Sequence, residues 1–272
     1  MNTQERVKEH LEEAKTLVPY SNIVGIFLQG SQNYHLDYAG SDVDTKCITT
    51  PVLHNLCLNR KPLSTTHVRA NDEHIDLKDI RLYIDTFKKQ NLNFLEILWT
   101  DFKILNPLYE ESWNKLVKNR ESIARMNELR AVKSMYGVAM EKYHALEHPY
   151  PSKLHLIETI GFDPKQLSHL FRVEEYLERY IAGESYKNCL ISKQPDFLIQ
   201  VKVVERCPYD LESARVAAKE SMNHIQSMTD NFKEKHPKEV VDEDMVKLLE
   251  EVCCEIIETS LKNELMSMNF LD

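Results

Sequence analysis

The chain has 272 residues, 42% of them hydrophobic and 28% charged, enough for one large domain or two modest ones with a buried core. Glycine is scarce, with six residues, and neither G-x-G-x-x-G nor G-x-x-x-x-G-K-[ST] occurs, which excludes the familiar glycine-rich nucleotide loops. The net charge of −9 is uneven: residues 230–272 carry 5 basic and 12 acidic residues and the first 229 carry 29 and 31, which excludes an extended surface for duplex nucleic acid but allows a local basic pocket.

In chain order, Thr3 to Lys15 predicts a helix whose apolar face holds Val7 and Leu11, joined by Ala14. Asn22 to Gln29 is a nearly continuous, β-branched and aromatic run and predicts a buried strand. A polar segment bounded by Gly30 and Gly40 follows, and the alternation from Ser41 to Ile48 predicts a second strand. Glu73 to Ile80 alternates again; a helix with Leu82, Ile84 and Phe87 comes next, and the apolar stretch from Phe94 to Trp99 closes this half. Beyond about Leu105 helical spacing dominates, with Pro107, Pro164, Pro195 and Pro237 at helix boundaries. The last helix carries Met245, Leu249, Val252, Ile256 and Leu261 on one stripe, with Glu250, Glu251, Glu255 and Glu258 between them. We therefore divide the chain into an α/β part, 1–105, and a helical part, 106–272. None of the six cysteines forms a C-x-x-C pair and the N-terminus is charged, and no apolar run reaches the roughly 20 residues that span a bilayer. The expectation is a reduced, cytoplasmic protein without a membrane partner.

The segment that carries chemistry is Gly30-Ser31, ten residues, then Asp42-Val43-Asp44. Residues two apart on a strand project from one face, so Asp42 and Asp44 form a carboxylate pair and Val43 faces the core. Two like charges on one face call for a cation, and Mg²⁺ takes a few carboxylates plus phosphate oxygens. Gly30 lets backbone approach a ligand. Ser31 offers a hydroxyl and an N–H at an expected helix start, a place for phosphate. Asp76 is the candidate third carboxylate, because Ile75 and Leu77 should face the core and leave it on the metal side; Asp79 is out of phase.

The pattern of apolar strand, Gly-Ser, about ten residues and Asp-x-Asp resembles the DNA polymerase β-like nucleotidyltransferase superfamily. GSQNYHLDYAGSDVDTK, NLNFLEILWT and GFDPKQLSHLFRVEEYLERYIAGES, in this order, resemble a family of nucleotidyltransferases associated with RNA repair, over roughly residues 20 to 190. The resemblance implies a polymerase-β-like core followed by a helical domain. It also implies two Mg²⁺ ions, with Mn²⁺ as the alternative, held by Asp42, Asp44 and Asp76 as catalytic and metal-binding residues. Asp76 would in addition help to activate the attacking hydroxyl, and Gly30 and Ser31 would hold nucleotide phosphates. In the third stretch Lys165, His169 and Arg172 share a helix face, Asp163 suits its N-cap and Pro164 its first turn. We assign that face to the triphosphate tail, where a guanidinium binds phosphate in bidentate fashion. Glu96 either orients the nucleotide or supports the fold through a buried hydrogen bond, and Asn93 has no derived role. Tyr34 and His35 either stack on a base or anchor the loop.

The fold class expected is α+β: a small mixed β-sheet nucleotidyltransferase core with flanking helices, then an all-helical C-terminal domain closing the cleft. The activity expected is transfer of an NMP from an NTP such as ATP to an acceptor hydroxyl, an RNA end or a small molecule, with release of pyrophosphate. The alternatives are an NTP-binding sensor without catalysis and a protein-modifying regulator that adds an NMP to a partner.

Overall fold

The computed structural model describes residues 2–269. Its first half comprises α1 (Thr3–Leu17), β1 (Ile23–Gln29), β2 (Asp44–Thr49), α2 (Leu53–Cys57), β3 (Ser64–Val68), β4 (His74–Asp79), α3 (Ile80–Lys88), α4 (Leu92–Leu95) and β5 (Lys103–Leu105). Helices follow: α5 (Glu110–Lys118), α6 (Arg120–Arg125), α7 (Glu128–Ala145), α8 (Leu154–Ile160), α9 (Pro164–Ile181), α10 (Tyr186–Leu190), α11 (Pro195–Lys202), α12 (Leu211–Lys235) and α13 (Glu243–Asn269). The protein is α+β, with a mixed five-stranded sheet, flanking helices and a long helical region.

The chain forms two compact units. One contains the residues up to 33, 40–126 and those from 241 on; the other contains 34–39 and 127–240. The division expected near residue 105 thus falls inside the sheet unit. The cause is α13, whose buried stripe of Leu249, Val252 and Ile256 packs against α3 and α5 and so belongs with the sheet.

In the sheet unit the strand order is β3-β4-β2-β1-β5, with β2 and β4 parallel and the other pairs antiparallel. β1 is buried from Ile23 to Leu28, as its continuous apolar run requires. A Cβ on Gly25 would lie 3.0 Å from the Ile104 carbonyl oxygen and 2.9 Å from Leu105 Cδ2, so glycine is what lets β5 approach. α1 begins in a capping box between Asn2 and Glu5. Its Val7, Leu11 and Ala14 join Ile26, Leu28, Cys47, Ile75 and Leu77 in one core cluster, and each large aliphatic side chain buried there contributes about 1.5–3 kcal/mol. Since side chains alternate along strands, Asp44 and Lys46 of β2 and Asp76 and Lys78 of β4 emerge on the face opposite α1. β3 and β5 were not anticipated: β3 reads Ser-Thr-Thr-His-Val and is mostly exposed, and β5 has three residues, so neither carries an apolar alternation.

In the helical unit α9 is the hub and packs against α7, α10, α11 and α12. Asp163 caps it, accepting the Lys165 N–H at 2.9 Å, with Pro164 in the first turn, as expected. Its inner side carries Leu167, Leu170, Val173, Leu177 and Tyr180, all buried. Among the described residues no helix is long and apolar enough to cross a membrane.

Candidate active site

β1 ends in a turn at Gly30, whose φ of +99° lies in the left-handed region that favours glycine. The turn closes with the Asn33 N–H donating to the Gly30 carbonyl at 3.0 Å. Ser31 opens a four-residue 3₁₀ turn and not the α-helix expected there, so no helix dipole supports a phosphate at this place. The expected phosphate contacts are reduced to the Gly30–Ser31 backbone and the Ser31 hydroxyl. Two side chains fix the turn. Glu96, 3% exposed, accepts the Gly30 N–H at 3.2 Å, and Asn33 bridges to Leu28 and Thr100. Glu96 therefore supports the fold through a buried hydrogen bond, the second of the two roles foreseen for it.

The strand register places Gln29 beside Asp44, so the turn and the acidic pair adjoin at one end of the sheet. Val43 is fully buried, Asp42 exposed and Asp44 half-buried. Asp42 lies just before β2 and not within it, because its carbonyl is held by the Gln32 side chain at 2.7 Å. Asp44 Oδ1 accepts the His74 N–H at 2.9 Å and faces His74 Nδ1 at 3.0 Å. Asp76 pairs in register with Lys46; its Oδ2 is 3.7 Å from both the Lys46 and Lys78 ammonium groups, and Thr66 donates to Oδ1 at 3.4 Å. Both ammonium groups also lie over the Phe94 ring, at 4.1 and 4.4 Å. Burial brings the Lys46 ammonium down to about 8, opposed chiefly by the Asp76 charge.

Behind this face, Glu73 is 1% exposed and accepts the Val43 N–H at 3.0 Å, between the two aspartates. Its other oxygen receives His10 Nε2 at 2.9 Å and Arg69 and Asn71 at 2.8 Å, and Arg6 pairs with it as well. His10 Nδ1 lies 2.9 Å from the Thr45 hydroxyl. Burial first, then the Arg69 charge, lowers His10 to about 4, so it is neutral and donates from Nε2 to Glu73 while Nδ1 accepts from Thr45.

Asp44 and Asp76 on adjacent strands, with Asp42 just before β2, are the kind of oxygen donors that suit Mg²⁺, so the donor chemistry fits. Among the described residues, however, no three His, Cys, Asp or Glu side chains are gathered closely enough to hold a metal ion. Asp44 faces His74, and a metal at Asp76 competes with Lys46 and Lys78.

In the helical unit Lys165, His169 and Arg172 share the expected face of α9. Arg172 is 8% exposed, with its guanidinium 3.3 Å over the Tyr34 ring. The face is therefore not the open cationic surface expected, and Tyr34 takes the second of its two foreseen roles, a buried anchor under Arg172. His35 is exposed with a φ of 59°. Lys202 of α11 donates to the Leu36 carbonyl at 3.2 Å and lies 5.2 Å over the Tyr38 ring. His169 is held well below the usual imidazole range by burial first, then by the charges of Arg172, Lys165, Lys142 and Lys202, so it is neutral among four cations. Lys142 and Lys202 were missed because they stand on α7 and α11, outside the α9 spacing.

No family model matches the chain and no curated protein matches it. Among solved structures it is similar to a nucleotidyltransferase-like protein from Exiguobacterium sibiricum 255-15, at 10% identity over 85% of this chain and 75% of that one, with a TM-score of 0.29. A likeness of that degree assigns no function.

Proposed function

We propose that the chain is a nucleotidyltransferase that moves an NMP from an NTP to an acceptor hydroxyl. The observation supporting this most is the register that sets Gln29 beside Asp44, so that a glycine turn and a pair of aspartates meet at one sheet end. In the reaction the acceptor oxygen bonds to the α-phosphorus, the bond to the β-phosphate breaks, pyrophosphate leaves, and the hydroxyl proton is lost. Asp42 and Asp44 would hold Mg²⁺, with Asp76 as the third ligand. Bound there, the metal supplies positive charge at the phosphates and at the attacking oxygen. Gly30 and Ser31 orient phosphate through the backbone N–H of Ser31 and its hydroxyl, since the Gly30 N–H is already given to Glu96. Asp76 helps to activate the acceptor hydroxyl, and Lys46 and Lys78 balance its charge. The acceptor, an RNA end or a small-molecule hydroxyl, is to be found by incubating each α-labelled NTP with RNA and metabolite pools.

Mg²⁺-dependent pyrophosphate release is expected, and Asp42→Ala with Asp44→Ala should abolish it; full activity in that double variant overturns the proposal. One observation favours a second reading, an NTP sensor without catalysis: Asp44 and Asp76 are engaged by His74, Lys46 and Lys78. Calorimetric binding of a non-hydrolysable NTP together with no turnover on any acceptor would select it.

A further inference from the structure

The helical unit holds a cavity of about 570 Å³, within the size of small-molecule sites, roughly 300–1,000 Å³. Helices α9, α11 and α12 form its walls. On α9, Phe171, Glu174, Glu175 and Glu178 stand at i, i+3, i+4 and i+7, which makes one stripe. On α12, Ala217, Glu220, Ser221 and His224 repeat the same spacing, and the alanine leaves room. The aromatic side is continuous. Phe171 stacks on Phe197 of α11 with centroids 5.9 Å apart and 21° between planes, and its ring is 6.1 Å from that of Tyr209.

The acids fall into two kinds. Glu174 receives the Ser221 hydroxyl at 2.5 Å and His224 at 2.6 Å. Glu175 receives Ser192 at 2.5 Å and the Lys193 N–H at 2.6 Å. These two are structural partners of α12 and of the segment before α11. Glu178 and Glu220 are exposed, and their carboxylates make no hydrogen bond or ion pair among the described residues. They stand on different helices of the cavity, and no Lys or Arg lines it. A hollow with carboxylates and aromatic faces attracts an organic cation by charge and by the ring quadrupoles. It repels phosphate, so its ligand is of another class from the nucleotide.

We propose that this cavity binds a small aliphatic polyamine-type cation. Its carbon chain lies against Phe171 and Phe197, and its ammonium groups meet Glu178 and Glu220. Two free carboxylates on separate helices match a skeleton with charge at both ends better than a single ammonium. The cavity lies wholly within the helical unit, and its ligand is independent of the nucleotidyl-transfer reading.

The test is calorimetric titration of the full chain with spermidine, with an uncharged diol of similar length as control, at low and high salt. Binding of spermidine but not the diol is expected, weakening with salt. Glu178→Gln with Glu220→Gln should weaken it about tenfold or more and Phe197→Ala several-fold. Glu212→Gln with Glu234→Gln, the same charge change elsewhere on α12, should leave it within about twofold. Asp42→Asn with Asp44→Asn should also leave it unchanged, which separates this proposal from the catalytic one. No heat with spermidine to millimolar concentration, equal binding of the diol, or an equal loss in the control pair overturns the proposal. So does binding of a lysine-rich peptide without binding of spermidine, which would make the cavity a protein-docking site.

Discussion

The sheet unit and helix α9 of the helical unit arrange charge differently. In the sheet unit, acids and bases are interleaved: Asp44 meets His74, Asp76 meets Lys46 and Lys78, and Glu73 meets Arg6, Arg69 and His10. The helical unit has ion pairs too, such as Arg179 with Glu175 and Glu184, but its helix α9 sorts much of its charge. α9 alone carries Lys165, His169 and Arg172 on one flank of its buried stripe and Glu174, Glu175 and Glu178 on the other. The geometry of each element explains the difference. Strand register sets side chains of neighbouring strands directly beside one another, so a charge finds its partner across the ladder. A helix separates its flanks by its own radius, so like charges collect until something outside them intervenes.

The largest break in this contrast should come from the buried hub. Glu73→Ala leaves the Val43 N–H without its acceptor and takes a buried carboxylate partner from Arg6, Arg69 and His10, and about 3–5 kcal/mol of stability should be lost in urea unfolding. Glu73→Gln keeps an oxygen for Val43 and should cost less. A loss under about 1 kcal/mol for the alanine variant would show that the interleaving is not cooperative.

The pH dependence follows next. His10 is lowered to about 4 in the fold from about 6.5 in the unfolded chain. Between those values the unfolded state binds more protons, so stability rises with pH and is lost as pH falls from about 6.5 toward 4, by about 3 kcal/mol in all. Chemical denaturation of the wild type across this window, with His10→Gln as reference, measures it; equal slopes for the two chains would show that folding leaves the proton affinity of His10 unchanged.

For the sorted helix, Arg172→Ala removes the guanidinium from the Tyr34 ring and should cost about 2 kcal/mol in thermal unfolding. Relief of repulsion with Lys165, Lys142 and Lys202 offsets part of that. If repulsion dominates, the variant will be more stable than the wild type, and sorting will prove costly to the fold. The smallest effect belongs to Gly30→Ala. A Cβ there meets nothing within 4 Å, so only the positive φ opposes it, at about 1 kcal/mol. A much larger loss would mean that the turn lacks the freedom its open surroundings indicate.

Much of this arrangement was legible in the sequence. The apolar period of α1, the continuous run of β1, the alternation in β2 and β4 and the Asp163-Pro164 start of α9 are local signals, and the fold uses each of them. Glu96 was legible in kind, as one end of a buried hydrogen bond. Glu73 carries no such signal, since a lone glutamate before an alternating run reads as solvent-exposed. Its burial depends on Arg6 and His10, more than sixty residues earlier in the chain.

The sequence alone determined α1, β1, β2, β4, the start of α9 and the α+β class, because period and turn chemistry act over a few residues. Tertiary structure decided the rest. It paired the polar β3 with β4, returned α13 to the sheet unit, set Lys46 against Asp76 and drew Lys142 and Lys202 to His169. Those contacts depend on strand register and on which helix faces pack together. Register and packing are settled by burial summed over the whole chain, and no local period encodes them.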